Sequence, residues 1–271
     1  MSGSVWRLIS ATVIGTSHVA AGSECQDRHL CKEIQTPYGP VLLLLVSDGA
    51  GSAAKSAVGA QLVCEVLQDQ ALQFFSEEGE VDHVNARLIA NWIQLFRDEI
   101  ILQADSDGIS EREYACTLLG AIIGLHSAAL FQVGDGAIVY STANGPAHSL
   151  AFWPERGEYE NTTYFVTQAS FFDQLQFAHI QETITDVALL SDGLQRLALD
   201  YQMKVAHRPF FSGLFSPMRA AEPHSLPSLN GHLTTFLNSA KVNERTDDDK
   251  TLVLAVSSMG KPCSIPEKEL R

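Results

Sequence analysis

"CTLLGAIIGLHSAALFQVGDGAIVYSTANG", residues 116 to 145, decides how this chain folds. Short apolar runs of strand length follow one another, and the gaps between them are turn chemistry: His126-Ser127, Gly134-Asp135 and Asn144-Gly145. Strands joined this tightly predict an antiparallel meander.

Upstream, "VLLLLVSDGAG" at 41 to 51 is another apolar strand. It is followed by "SAAKSAVGAQLVCEVLQDQALQFF" and "VDHVNARLIANWIQLFRDEIILQA", whose apolar residues recur with helical period and predict two long amphipathic helices. Downstream, 162–168 and 177–191 are further strand candidates, and a short helix is expected after Gly193. The Pro-, Ser- and Gly-rich stretch at about 207–228 predicts an irregular excursion. A helix near 229–240 leads into the strand "TLVLAVSS", and 258–271 forms a tail behind a single domain at 1–257. Strands, two helices, many strands, then helix and strand lack the βαβ alternation of a doubly wound parallel sheet. The expected class is α+β, a sandwich of two mainly antiparallel sheets packed face to face with helices outside.

Composition narrows the function. The 271 residues are 45% hydrophobic, enough for one domain with a substantial core. A formal charge of −14 with only 18 Lys and Arg leaves no basic surface for nucleic acid or an acidic membrane, so neither is an expected partner. Part of that negative charge invites bound cations. Cys25, Cys31, Cys64, Cys116 and Cys263 are odd in number and widely spread, without metal-ligand spacing, and are read as reduced thiols of a cytoplasmic protein. The first 22 residues, broken by Ser, Thr and Arg, fit a strand better than a signal peptide, and no apolar stretch approaches the ~20 residues that span a bilayer.

Three apolar strands end on Asp-Gly, at Asp48, Asp135 and Asp192. One such ending is an ordinary turn signal. Repeated, and joined by "TDDDKTLVLAV" and by Asp27 in "GSECQDRH", they suggest carboxylates gathered at one place. Clustered carboxylates repel unless a cation or proton neutralises them, and oxygen-only ligand sets favour hard ions such as Mg²⁺ or Mn²⁺.

"GTSHVAAGSECQD", "VSDGAGSAAKSAVGA", "ACTLLGAIIGLHSAALFQVGDGAIVYS", "VALLSDGL" and "DDDKTLVLAV", in that order, resemble the successive motifs of the metal-dependent protein phosphatases of the 2C type, over roughly residues 11 to 257. The "GTSH…CQD" and "DGAGSA" variants resemble a bacterial branch. The resemblance implies a four-layer αββα sandwich and a protein Ser/Thr phosphatase in which two Mg²⁺ or Mn²⁺ ions activate a bridging hydroxide. It implies that Asp48 bridges the ions, that Gly49 offers its carbonyl, and that Asp192 and Asp248 complete the centre. Thr251, three residues on, selects Asp248 from its acidic neighbours. Asp27 would contact the centre largely through water. The implied partner is a phosphorylated protein, with a cytosolic Ser/Thr kinase opposing the reaction.

The chain departs from the family pattern in places. The phosphate-binding Arg of many members is missing around Gly22 to Glu24, which leaves the metals, another cation or His18 to bind phosphate. Ala50 replaces a His found in animal members. Asp135 and Thr117 match positions near a third metal site, but Arg196 stands where an acidic residue is expected, so a third ion is disfavoured; Asp135 fits a Gly-Asp-Gly turn equally well. His18 is a candidate leaving-group acid or phosphate contact, or simply a hydrogen-bonded His. Asp247 and Asp249 read as a solvated rim and a turn. A silent docking module of the same fold, or a phosphatase for a small phosphorylated molecule, are the alternatives to a protein phosphatase.

Overall fold

The computed structural model describes residues 6–154 and 163–258. The chain opens with strand β1 (Trp6–Val13), helix α1 (Thr16–Ala21) and the hairpin of β2 (Arg28–Thr36) and β3 (Gly39–Ser47). The long helices α2 (Ser56–Ser76) and α3 (Ala86–Asp107) follow, then β4 (Leu118–Ile123), β5 (Ala128–Val133), β6 (Ala137–Thr142) and the short β7 (Ser149–Leu150). After α4 (Phe171–Gln174) come β8 (Gln176–Ile180), β9 (Ile184–Leu190), α5 (Gln195–Ala198) and a small hairpin of β10 (Leu199–Asp200) and β11 (Val205–Ala206). Helices α6 (Arg208–Ala220), α7 (Leu226–Leu237) and α8 (Ala240–Asn243) precede the last strand, β12 (Lys250–Ser257).

The main strands make two antiparallel sheets, ordered β1-β12-β9-β6-β7 and β2-β3-β4-β5-β8. The run 41–46 is apolar at every position because β3 is buried on both faces. Its odd residues Val41, Leu43 and Leu45 join Val63, Leu67 and Phe96 of α2 and α3 in one core. Its even residues Leu42, Leu44 and Val46 face the other sheet, packing with Val187, Leu189 and Val253. On the far side, Leu252 and Leu254 of β12 meet Phe211, Phe215, Leu233 and Leu237 of α6 and α7. Helices, sheet, sheet and helices therefore stack as four layers, the α+β sandwich expected from the sequence. The long helices end as their sequence dictates: Asn85 caps α3 by accepting from Leu88 N at 3.1 Å, and Gly108 closes it at φ 68°.

The structure corrects four local expectations. β4 and β5 pair as a meander, but β6 leaves for the other sheet and lies beside β9. Gly134-Asp135-Gly136 is thus a crossing between layers, with Gly134 at φ 109° and Gln132 Nε2 donating to Gly134 O and Gly136 O at 3.0 and 3.2 Å. The segment expected to be irregular at 207–228 is mostly helical, in α6 and the start of α7. Pro209 sits in the first turn of α6, where no intrahelical N–H is needed, and Phe211, Phe215 and Met218 recur on one fully buried face. Residues 163–168 form no strand; Val166 N donates once to Cys116 O at 2.9 Å. The N-terminal stretch is strand only to Val13 and then turns into α1. Residues 259–271, most of the proposed tail, lie outside the described residues.

α6 is anchored by packing and charge. Arg219 forks onto buried Asp186 of β9, with Nε and Nη2 at 3.0 and 2.6 Å, and the His148 ring stacks on Phe215 at 5.7 Å. Phe215→Ala is expected to lower the unfolding free energy by about 3–5 kcal/mol in urea titration, the range for truncating a buried aromatic. A change below about 0.5 kcal/mol, the range of ordinary surface sites, would mean that the segment is the loose excursion its composition suggests.

Candidate metal centre

Antiparallel pairing brings alternate strand ends to one end of the sandwich. Arg28 of β2 lies opposite Ser47 of β3, Leu252 of β12 opposite Leu190 of β9, and Ala137 of β6 opposite Leu190 as well. Asp27 and Asp48 flank the first pair, Asp192 and Asp248 flank the second, and Asp135 sits at the crossing into β6. Asp27 and Asp48 thus come from one sheet, Asp192 and Asp248 from the other.

The carboxylates feel one another strongly. Burial, then the charges of Asp27 and Asp192, hold the Asp48 carboxyl well above its usual range. Burial raises Asp27 to about 6, against hydrogen bonds from Ser191 and Thr251 that favour its charge. Burial, Asp135 and Asp248 raise Asp192 to about 7, and Asp248 is raised chiefly by burial. The charge of Asp192 adds to the rise at Asp48, the repulsion expected of two neighbouring carboxylates.

The backbone around Asp48 is fixed by small polar side chains. Asp48 N donates to Thr117 Oγ1 at 3.0 Å, Thr117 N returns a bond to Asp48 O at 2.8 Å, and Ser47 Oγ donates to Thr117 O at 2.6 Å. Gly49 approaches α2 so closely that a Cβ would meet the Ser56 backbone at 2.8 Å. Ser191 ties the sheets together: its hydroxyl donates to Asp27 Oδ2 at 2.7 Å and accepts from Thr251 N at 2.9 Å.

Asp249 is a buried structural acceptor, a larger role than the turn expected of it. Gly15 N and Gln26 N each donate to its carboxylate at 2.6 Å. Burial alone would raise its carboxyl, but those two bonds and His18 hold it below the ordinary value. His18 Nδ1 stands 2.8 Å from Asp249 Oδ1 but off the line of a straight hydrogen bond, so the contact is electrostatic. Asp247 is exposed at the rim, as expected.

The donor set suits a hard divalent cation. Asp27 Oδ1 and Asp192 Oδ1 are buried without a hydrogen-bond partner, an arrangement that is costly unless a positive ion or proton satisfies it. Among the described residues no three acidic, His or Cys side chains already stand as a ready chelate. Burial pushes the Cys25 and Cys116 thiols up to about 12, which removes them as thiolate ligands or nucleophiles.

The remaining candidates are placed as follows. Asp135 accepts from Thr163 Oγ1 at 2.9 Å, its backbone carbonyl accepts from Gln195 Nε2, and Thr117 is committed to Asp48. Arg196 is exposed at the wall of a cavity of about 180 Å³ that also exposes Asp192 and Asp248. Residues 22–24 form an exposed turn, with Gly22 at φ 68°. Sequence reasoning did not single out Ser191 and Gln195; their only trace was adjacency to the "SDGL" motif.

The family model for protein phosphatase 2C matches residues 14–238. Serine/threonine-protein phosphatase 3 of Escherichia coli is 36% identical over 258 residues, spanning 93% of this chain and 98% of the relative. A serine/threonine phosphatase from Staphylococcus aureus shares the fold with a TM-score of 0.60 at 14% identity, over 94% of this chain and 96% of that one. The catalytic domain of another serine/threonine protein phosphatase, solved with two manganese ions, matches with a TM-score of 0.59 at 14% identity, over 93% of this chain and 98% of that one. On the sequence match along most of its length, with the fold in agreement, the chain belongs to the protein phosphatase 2C family.

Proposed function

We propose that this protein hydrolyses phosphoserine and phosphothreonine in protein substrates, using two Mg²⁺ or Mn²⁺ ions held by Asp48, Asp192, Asp248, the Gly49 carbonyl and, through water, Asp27. One observation carries the reading: carboxylates from both sheets meet at one end of the sandwich, with buried oxygens of Asp27 and Asp192 left unpartnered. The family is metal-dependent, and the manganese-bound neighbour supports an ion pair here. Bound divalent cations would supply a water activated at neutral pH and an electrophilic pull on the phosphoryl oxygens.

The chain's own groups do the rest. Water oxygen bonds to phosphorus as the bond to the Ser or Thr oxygen breaks, and the departing alkoxide needs a proton. His18, its Nδ1 turned to Asp249, has Nε2 left to deliver one. The cavity of about 680 Å³ beside Ala50, lined by Arg97, Arg112, Glu113 and Phe165 among others, has room for residues flanking a phosphorylated side chain. That room favours a protein substrate over a small phosphorylated molecule. A Ser/Thr kinase must install the group removed, and the free thiols of Cys25, Cys31, Cys64 and Cys116 support a cytoplasmic setting. No helix among the described residues is long and apolar enough to cross a membrane.

Asp48→Asn and Asp192→Asn keep the shape and remove the charge, so each is expected to cut turnover of a phosphothreonine peptide by roughly a hundredfold or more, beyond the usual outer-shell effect. Full activity in either purified variant would defeat the ligand assignment. His18→Gln is expected to slow the peptide by about 10²-fold while sparing p-nitrophenyl phosphate, whose leaving group needs no acid; equal loss on both would assign His18 to phosphate binding or structure instead.

The raised carboxyls also set a pH dependence. Asp27 and Asp192 have folded values of about 6 and about 7 against a reference of 3.8, so the metal-free folded state binds more protons than the unfolded chain across that window. The stability they contribute is present below about pH 4 and lost as pH rises through about 7. Calorimetric melting of metal-free protein should show a lower melting temperature at pH 8 than at pH 5, and Mn²⁺ should raise it more at pH 8. An equal Mn²⁺ effect at both would mean that these carboxylates are not the site.

A further inference from the structure

A phosphate dianion approaching this centre meets a wall of carboxylates, and residues 22–24 offer no cation to receive it. Most positive groups nearby are committed elsewhere. Arg28 gives Nη1 to the carbonyls of Cys25 and Asp27 at 2.7 and 2.8 Å, and Nη2 lies 3.5 Å from Glu24. Lys250 is wholly buried, its Nζ donating to Asn243 Oδ1 at 3.0 Å and to Asp248 O at 3.3 Å. Arg219 is paired with Asp186.

Two uncommitted guanidiniums border the cavity at Asp192 and Asp248, while Arg112, also without a side-chain partner among the described residues, lines the separate cavity beside Ala50. Arg196 on α5 and Arg245, in the turn between α8 and β12, line the same cavity of about 180 Å³ as Asp192 and Asp248. Neither forms an ion pair or a side-chain hydrogen bond among the described residues, although acidic groups share the cavity with them. Asp192, Asp247 and Asp248 line the cavity too, yet none of them pairs with either guanidinium; Asp248 Oδ1 instead accepts from the amide of Asp249 at 2.8 Å. The two cations come from separate elements and converge on one polar cavity that opens onto two of the proposed metal ligands. Guanidinium is the side-chain group whose planar fork matches phosphate oxygens.

We propose that Arg196 and Arg245 form the phosphate clamp of this enzyme, taking the non-bridging oxygens of the phosphorylated side chain and then of the inorganic phosphate product. The assignment rests on the phosphatase reading. It gives Arg196 a purpose beyond the absence of an acidic residue: a cation stands at the sequence position where a third metal ion would need a ligand.

The test is inorganic phosphate binding to the Mn²⁺-loaded protein by titration calorimetry, alongside phosphate inhibition of p-nitrophenyl phosphate hydrolysis. Arg196→Ala and Arg245→Ala should each raise the phosphate Kd, the inhibition constant and KM by about tenfold, the scale of a lost charge-assisted pair, and the double variant by more. Mn²⁺ affinity and melting temperature should not move, and Arg196→Lys should recover only part of the loss. Phosphate binding within twofold of wild type in the double variant would overturn the clamp. So would an Arg196→Ala protein that binds an additional Mn²⁺ with phosphate affinity intact, which would make Arg196 a counter-charge to Asp192. Wild-type hydrolysis with Mn²⁺ and with EDTA separately tests the phosphatase reading, and the calorimetric comparison reads the clamp whichever way that control falls.

Discussion

Repulsion among buried carboxylates is the constraint on which the rest of this structure depends. Burial raises Asp27, Asp48, Asp192 and Asp248 alike, and at Asp48 the charges of the other three add to the cost of ionisation; a fold with no use for that crowding gains nothing from it. Holding them there takes rigid supports: antiparallel strand ends, the Thr117 and Ser47 bonds around Asp48, and the Ser191 hydroxyl bridging Asp27 to β12. The same support costs stability whenever protons and cations are both scarce. A stable scaffold with two large cores outside its sheets and a third between them can sustain that cost.

Much of this was legible in the sequence, for a physical reason. Strands buried on both faces read as unbroken apolar runs, so β3, β9 and β12 announce themselves, and Asp-Gly marks where the runs stop. Two features were not legible. Gly134-Asp135-Gly136 spells a tight turn whether the next strand pairs with the last or departs for another sheet, and only the partner, β9, distinguishes the two. The α6 segment carries Pro209, Pro217 and several Ser and Gly residues, whose local preference is overruled by burial of Phe211 and Phe215 against β12 and its neighbours.

The candidate site shows the same division. The aspartates proposed as metal ligands were singled out by motif, because strand-end carboxylates beside glycine leave a pattern in the chain. Asp249 escaped because it is chemically identical to Asp247 and Asp248; what separates it is that its buried carboxylate reaches the amides of Gly15 and Gln26. Ser191 and Gln195 escaped because a hydroxyl or an amide beside a motif carries no signal until its partner is known.

The crossing of β6 between the layers has a consequence for the chemistry. Asp27 and Asp48 belong to one sheet and Asp192 and Asp248 to the other, so the gap between the two carboxylate pairs is set by the thickness of the apolar filling between the sheets, of which Leu44, Leu189 and Val253 are part. The sandwich works as a caliper: its jaws are the aspartates, and its setting is the bulk of side chains that never meet a substrate.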